Sequence, residues 1–360
     1  MKKFISMLLL TIFALFAYAA DYRVLVLGDL HYDAPEFHSI PDMKVKFKLR
    51  TDYIRMWKEK TPQLLDAAAK QLGKDIPFII QCGDFTQGDA VTGENQEKMF
   101  ATAFDTVKKN FPDHKILAVK GNHDIRTYYP EKDKSGKDIL TKKNTNTHTA
   151  KAFMPLFAKE LGQQIKDHYT VIHNNDLYIF YDGFQKAAPS LKFVKDTLAA
   201  NPKVRNVFFI THLPVLPCAT GNAGWLLPNY QELAKLLLER NAIILTAHTH
   251  QPSIIKINDG KNTLTQIVTS SIGYAWSLGK DAQVAIKNRE EFRKKLYWKK
   301  AKEKRSIAAL DYLDSLKLEI FELYDKNSNG FTILKVTDDG VTAEIHNNAS
   351  GKPTLLKKLK

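Results

Sequence analysis

The sequence predicts an α/β fold in which two facing mixed β-sheets are flanked by helices, with a C-terminal helical and hairpin extension. Three observations carry this. Strand and helix patterns alternate over residues 21–124, the order that builds parallel strands. Hairpin patterns follow later in the chain, and a purely doubly wound parallel sheet would not need them. Third, five polar clusters stand where short hydrophobic runs end. The runs are 23–27, 78–81, 115–119, 204–210 and 242–245, each rich in Val, Ile, Leu or Phe. The clusters are Gly28-Asp29-Leu30-His31, Gly83-Asp84, Gly121-Asn122-His123-Asp124, Thr211-His212 and His248-Thr249-His250. Open α/β folds bind ligands outside the carboxyl ends of their strands. Five such ends carrying Asp, Asn and His to one rim describe a metal site on a rigid scaffold.

The first 19 residues read as a signal peptide: Met1-Lys2-Lys3, an apolar run over 4–16, then Ala17-Tyr18-Ala19. The run is short for a membrane span, so the expected protein is secreted or periplasmic. Residues 20–275 read as the core domain and 276–360 as the extension packed on it. With 44% apolar and 26% charged residues, the composition excludes a disordered or collagen-like chain. The formal charge is +14, of which Lys2 and Lys3 supply two. That surface suits a phosphate-bearing substrate, an anionic polymer or a membrane surface, and selects none of them. No obligate protein partner is implied. Cys82 ends a strand pattern two residues before Asp84, where a buried free thiol is the simplest reading.

Taken in order, 51–72 has helical spacing, and Pro62 either kinks it or starts a second helix capped by Thr61. Residues 95–110 form the next helix. Residues 125–149 are polar and read as a long mobile loop beside the site. A short helix covers 151–161. Hairpins are expected around His173-Asn174-Asn175-Asp176, around Asn258-Asp259-Gly260 and around Asp338-Asp339-Gly340. Helices over 191–200 and 230–240 feed the strands that end at His212 and His248. From 283 to about 324 the pattern is helical and free of Pro. Within it, residues 287–305 hold ten Lys or Arg against Glu290, Glu291 and Glu303, and read as a solvated helix face.

The chemistry of the clusters follows from their residue types. Asp29 and His31 are two apart, so both side chains can point the same way from an extended or bulged strand end. His248 and His250 repeat that spacing. Asp84 leaves its strand after a Gly and can bridge two cations. Asn122 offers an amide oxygen and His212 a ring nitrogen. Seven donors are too many for one tetrahedral ion. They suit two ions sharing a carboxylate, and the mixed N and O set permits two divalent metal ions of Mn, Zn or Fe.

The order D-x-H, G-D, G-N-H-D, a lone His, then H-x-H resembles the calcineurin-like metallophosphoesterase superfamily. The resemblance covers about two thirds of the chain. It implies a four-layer α/β/β/α fold and assigns roles. Asp29, His31 and His250 would hold one metal; Asn122, His212 and His248 the other. Asp84 and a hydroxide would bridge them. His123 would contact the phosphate and protonate the leaving oxygen, with Asp124 orienting it. Ala247 stands where the family usually has Gly before the first His of the pair. Purple acid phosphatases are similar in layout but carry Tyr three residues after the second-motif Asp and D-x-G in the first. Here those positions are Gln87 and His31, which disfavours a tyrosinate–iron site. The implied function is an exported metal-dependent hydrolase of phosphate monoesters or diesters. The alternative is a secreted binding protein with a structural metal site and a basic surface for membrane or nucleic acid.

Overall fold

Residues Val24 to Leu27 are all completely buried, so the first strand, β1 (Tyr22–Leu27), needs cover on both faces. The computed structural model describes residues 21–39, 51–144, 147–165, 167–218, 225–273, 285–286, 304–315, 317–323, 329–347, 350 and 352–360. Residues 1–20, on which the expected signal peptide falls, and most of the basic 287–305 stretch lie outside these. No helix among the described residues is long and apolar enough to cross a membrane.

On one side β1 pairs in parallel with β2 (Phe78–Gln81), and β2 with β4 (Lys115–Ala118). The register sets Leu27 against Gln81 and Gln81 against Ala118. The three chains therefore leave the sheet at one level. On the other side β1 pairs antiparallel with β15 (Phe331–Thr337), which continues into β16 (Gly340–His346) and β17 (Leu355–Lys358). The expected C-terminal hairpin is thus part of the six-stranded sheet itself, hydrogen-bonded to its central strand.

The second sheet has eight strands in the order β13-β14-β11-β12-β10-β9-β8-β7. These are β7 (Tyr169–His173), β8 (Asp176–Phe180), β9 (Asn206–Ile210), β10 (Ile243–Thr246), β11 (Ser253–Asn258), β12 (Thr263–Val268), β13 (Ala285–Ile286) and β14 (Lys317–Leu323). Alternation along its strands divides two cores. Tyr178, Phe180, Phe208, Ile210 and Leu245 join Leu25, Ile80 and Leu117 of the first sheet. Leu177, Ile179, Val207, Phe209 and Ile244 pack instead with Val194 and Leu198 of α5 (Ala187–Ala200) and Leu233 and Leu237 of α6 (Tyr230–Leu238). Trp57 of α1 (Thr51–Glu59), Leu65 of α2 (Thr61–Ala69), Phe100 of α3 (Gly93–Lys108) and Phe157 of α4 (Met154–Leu161) complete the first core. The four-layer expectation is met.

Some local expectations are corrected. Pro62 does begin a second helix, but its N-cap is Lys60 and no side chain caps it. Residues 125–149 are mostly a hairpin, β5 (Arg126–Lys132) and β6 (Asp138–Asn144), joined in a small third sheet to β3 (Ala90–Val91). Only Thr127 of the hairpin's strands is fully buried, so no apolar period marks them. The turn is visible afterwards: Asp133 Oδ1 accepts from the N–H groups of Ser135 and Lys137, and Gly136 has φ 81°. The expected helical run after 283 includes β13 and β14 besides α7 (Lys304–Ser315). The segment 317–323 carries apolar residues at both helical and strand spacings, and pairing with β11 decided between them. Cys82 and Cys218 are free and buried.

Because β15 hydrogen-bonds β1 over five residue pairs, removing residues 329–360 should abolish cooperative folding. Thermal unfolding of the truncated chain is the check. A transition within about 5 °C of the full chain would show the hairpin to be dispensable.

Candidate metal centre

Asp84 is the residue on which the site converges. It follows Gly83, whose φ is 91°, and itself has φ 53°. A Cβ on Gly83 would lie 2.6 Å from the His212 ring, so the turn requires glycine both for space and for conformation. The Gln81 side chain closes the turn, donating to the Gly83 carbonyl at 2.7 Å and accepting from its N–H at 3.0 Å. The Asp84 backbone carbonyl accepts from the N–H groups of Leu30 and His31, both at 2.9 Å. Its Oδ1 accepts from His123 N–H at 2.7 Å. Its Oδ2 lies 3.3 Å from His212 Nε2 and 3.6 Å from His31 Nε2.

The first strand end is held from three directions. Trp57 Nε1 donates to the Leu30 and His31 carbonyls at 2.8 and 2.9 Å. The Asp29 carbonyl accepts from Ile272 and Gly273 N–H and from Ser271 Oγ. Asp29 Oδ1 accepts from His248 N–H at 3.1 Å, while Oδ2 is buried with no hydrogen-bond partner. His31 Nε2 faces His250 Nε2 at 3.1 Å. Asp29, His31, Asp84 and His250 offer four ligand atoms all within 4.8 Å of one another, and Asp84, His212 and His248 offer three within the same limit. Asn122 Oδ1 lies 3.0 Å from His212 Nε2, which adds the amide oxygen to the second group. All seven sequence-predicted donors are therefore brought together, in two groups that share Asp84.

The electrostatics of the groups fit cations. His212 Nδ1 is 2.9 Å from the Cys82 carbonyl oxygen. A carbonyl only accepts, so Nδ1 carries the proton and Nε2 faces Asp84 and Asn122. Burial lowers the His212 pKa, but Asp84 and Asp29 outweigh it and push it up to about 9. The same pair of anions that draws a proton onto His212 would be neutralised by metal. His248 is pushed down to about 3 by burial and by His212, which leaves its ring a neutral donor of electron pairs. The orphaned Asp29 Oδ2 is the kind of buried atom a cation satisfies.

His123 stands beside both groups, with its ring 4.4 Å from that of His31. Its Nδ1 lies 2.8 Å from the Gln87 carbonyl oxygen. Asp124 does not orient that ring. Its carboxylate accepts from the N–H groups of Phe85, Thr86 and Gly121 and from Thr86 Oγ1. It clamps the second and third loops together, and burial, then Asp84, push its pKa up to about 7. Ala247 needs no glycine: positive φ falls on His248 and His250, at 70° and 54°, and not on Ala247.

Sequence reasoning missed several supports. Gln87 acts through its carbonyl, which any residue could supply, so no side-chain signal marks it. Lys120 is 1% exposed and reaches Asp182 Oδ2 at 2.5 Å, tying the third loop to the end of β8. The basic residue next to Gly121 was the one available signal. Trp225, 39% exposed, stands 5.3 Å from the His248 ring at the rim.

With this geometry in view, the chain belongs to the calcineurin-like phosphoesterase family, whose sequence model matches residues 22–252. It is a metal-dependent phosphoester hydrolase, and its buried Asp and His groups fit a binuclear divalent site. Among solved structures it is similar to PhoD, with TM-score 0.52 and 9% identity over 90% of this chain and 65% of that one. It is also similar to the purple acid phosphatase PPD1 from yellow lupin seeds, with TM-score 0.50 and 11% identity over 94% of this chain and 54% of the lupin chain. A dimetal phosphatase from Danio rerio matches with 14% identity and TM-score 0.46, over 69% of this chain and 87% of its own. At these identities the likeness is one of fold. No curated protein sequence is significantly similar to the chain.

Asp124→Ala should strip three buried N–H groups of their acceptor, costing on the order of 3 kcal/mol or more. Chemical denaturation should show that loss directly. Unchanged stability would refute the clamp.

Proposed function

We propose that this protein is an exported two-metal phosphoesterase acting on phosphate monoesters or diesters. The observation that carries the reading is the position of Asp84 Oδ2, within 3.6 Å of a ring nitrogen from each donor group. Asp29, His31 and His250 would hold one ion and Asn122, His212 and His248 the other, with Asp84 common to both groups. Two such ions supply a water of lowered pKa as nucleophile and neutralise charge on the phosphoryl group. The protein's own part is positional. Asp29 is fixed by the Ile272 and Gly273 N–H groups and the Ser271 hydroxyl, and Asp84 by His123 N–H, so the donors are held before any ligand arrives.

Nδ1–H is committed to the Gln87 carbonyl, so His123 would give a proton to the leaving oxygen from Nε2, once bound phosphate has raised the ring's pKa and Arg126 Nη1 has turned from Nε2 to that anion. Burial holds this imidazole well below its usual range, outweighing Asp84, and Arg126 adds to the effect. A phosphoryl anion beside the ring would raise it. Export rests on the basic, apolar and small-residue order of 1–19. The net charge of +14 suits capture of anionic substrates.

A panel of mono- and bis-p-nitrophenyl phosphate with Mn, Zn, Fe, Co and Mg tests the reading. Turnover that depends on metal and disappears on chelation is expected; none with any metal would overturn it. Asp84→Ala should lose binuclear binding, and elemental analysis finding two metals per chain in that variant would refute the bridge. His123→Ala should retain metal but lose about 10²–10⁴-fold in turnover. Its deficit should be smallest where the leaving group needs no proton.

A further inference from the structure

Arg126 opens β5, two residues after the Gly121-Asn122-His123-Asp124 cluster, in the segment read from sequence only as a polar loop. Its Nη1 lies 3.0 Å from His123 Nε2, and its Nη2 lies 2.6 Å from Nδ1 of the same ring. Nη2 also donates to Asp89 Oδ2 at 2.5 Å. The side chain is only 12% exposed, and its Nε is buried without a hydrogen-bond partner. Asp89 is itself buried and has φ 57°. Its N–H donates to the Arg126 carbonyl at 2.8 Å, and its Oδ1 lies 3.5 Å from Lys142 Nζ of β6. The acid is thus fixed by the hairpin whose arginine it holds.

A structural staple would commit the guanidinium fork to carboxylate. Here only Nη2 does so, and it lies against the His123 ring as well. The other arm lies against the imidazole nitrogen aimed at substrate, and a third donor has no partner. A buried guanidinium with an unfilled donor matches the oxygens of a phosphoryl group, which it can bind with two parallel hydrogen bonds. A further positive charge beside a site built for cations is favourable when an anion sits between them. Asp89 supplies one such anion, and the substrate would supply the other.

We propose that Arg126 binds a non-bridging oxygen of the substrate phosphoryl group and that Asp89 holds it ready to do so. This rests on the phosphoesterase reading above. It makes the 126–144 hairpin a substrate-binding element.

The test is calorimetric titration of inorganic phosphate into the metal-loaded full chain, for wild type, Arg126→Ala and Arg126→Lys. Metal content and thermal unfolding are measured in parallel. Arg126→Ala should weaken phosphate binding by about 10–100-fold with two metals still bound. Arg126→Lys, which keeps the charge but not the fork, should fall between the two. Inhibition of aryl phosphate turnover by phosphate should weaken in the same order. Phosphate affinity within about twofold of wild type in Arg126→Ala, whether or not stability falls, would overturn the proposal and leave Arg126 a hairpin staple. If Arg126→Ala does not fold, Arg126→Lys alone decides, and unchanged phosphate affinity in it would overturn the proposal. Wild-type protein that hydrolyses no phosphoester would refute the functional reading instead. The phosphate titration, which needs no turnover, would still decide the role of Arg126.

Discussion

Burying the Asp84 carboxylate is the constraint that the rest of this structure answers. An ionised carboxylate with no access to water is costly unless hydrogen bonds and positive charge meet it. Asp84 receives an N–H from His123 on one oxygen and has His31 and His212 close to the other. Those partners come from three loops of two sheets. Burial works against its ionisation, but the charge and hydrogen bond of His212 outweigh this and hold its pKa well below the usual carboxylate range. The same residue ties loops together through its backbone, because its carbonyl caps the Leu30 and His31 N–H groups. A change at Asp84 therefore reaches metal donors and loop geometry at once.

The sheets make that convergence rigid. Parallel register brings the ends of β1, β2 and β4 to one level in the first sheet, and those of β9 and β10 in the second. The first core glues the sheets face to face with residues from both. Loops leaving at this rim can then touch across the gap, as His248 N–H does when it donates to Asp29. Close approach needs missing side chains. A Cβ on Gly121 would fall 2.1 Å from the Asp84 nitrogen and Oδ1. The glycines of the motifs are therefore part of the donor geometry.

The seven donors were legible because each ends a short apolar run, and such runs announce buried strands whatever their neighbours. The pairing of the donors into two groups was legible only by resemblance. The hairpin at 126–144 was not legible, since its strands bury only Thr127 fully and carry no apolar alternation. Nor was the fate of 317–323, whose residues suit either period. Asp124 was misread for a different reason. A carboxylate next to a histidine in sequence suggests contact between side chains, but its oxygens turn to backbone N–H groups brought near by folding.

The sequence by itself determined the class of fold, the rim at which the polar clusters gather and the residue types they bring there. Those properties depend on hydrophobic periodicity and residue type, both local. Only the tertiary structure decided that β15 pairs with β1, that Gln87 and not Asp124 receives the His123 Nδ1–H, and that Arg126 lies against the His123 ring. Each of these joins groups through backbone atoms or through long side chains whose direction is set by distant packing. A carbonyl oxygen is the same in every residue, so its use leaves no trace in the order of amino acids.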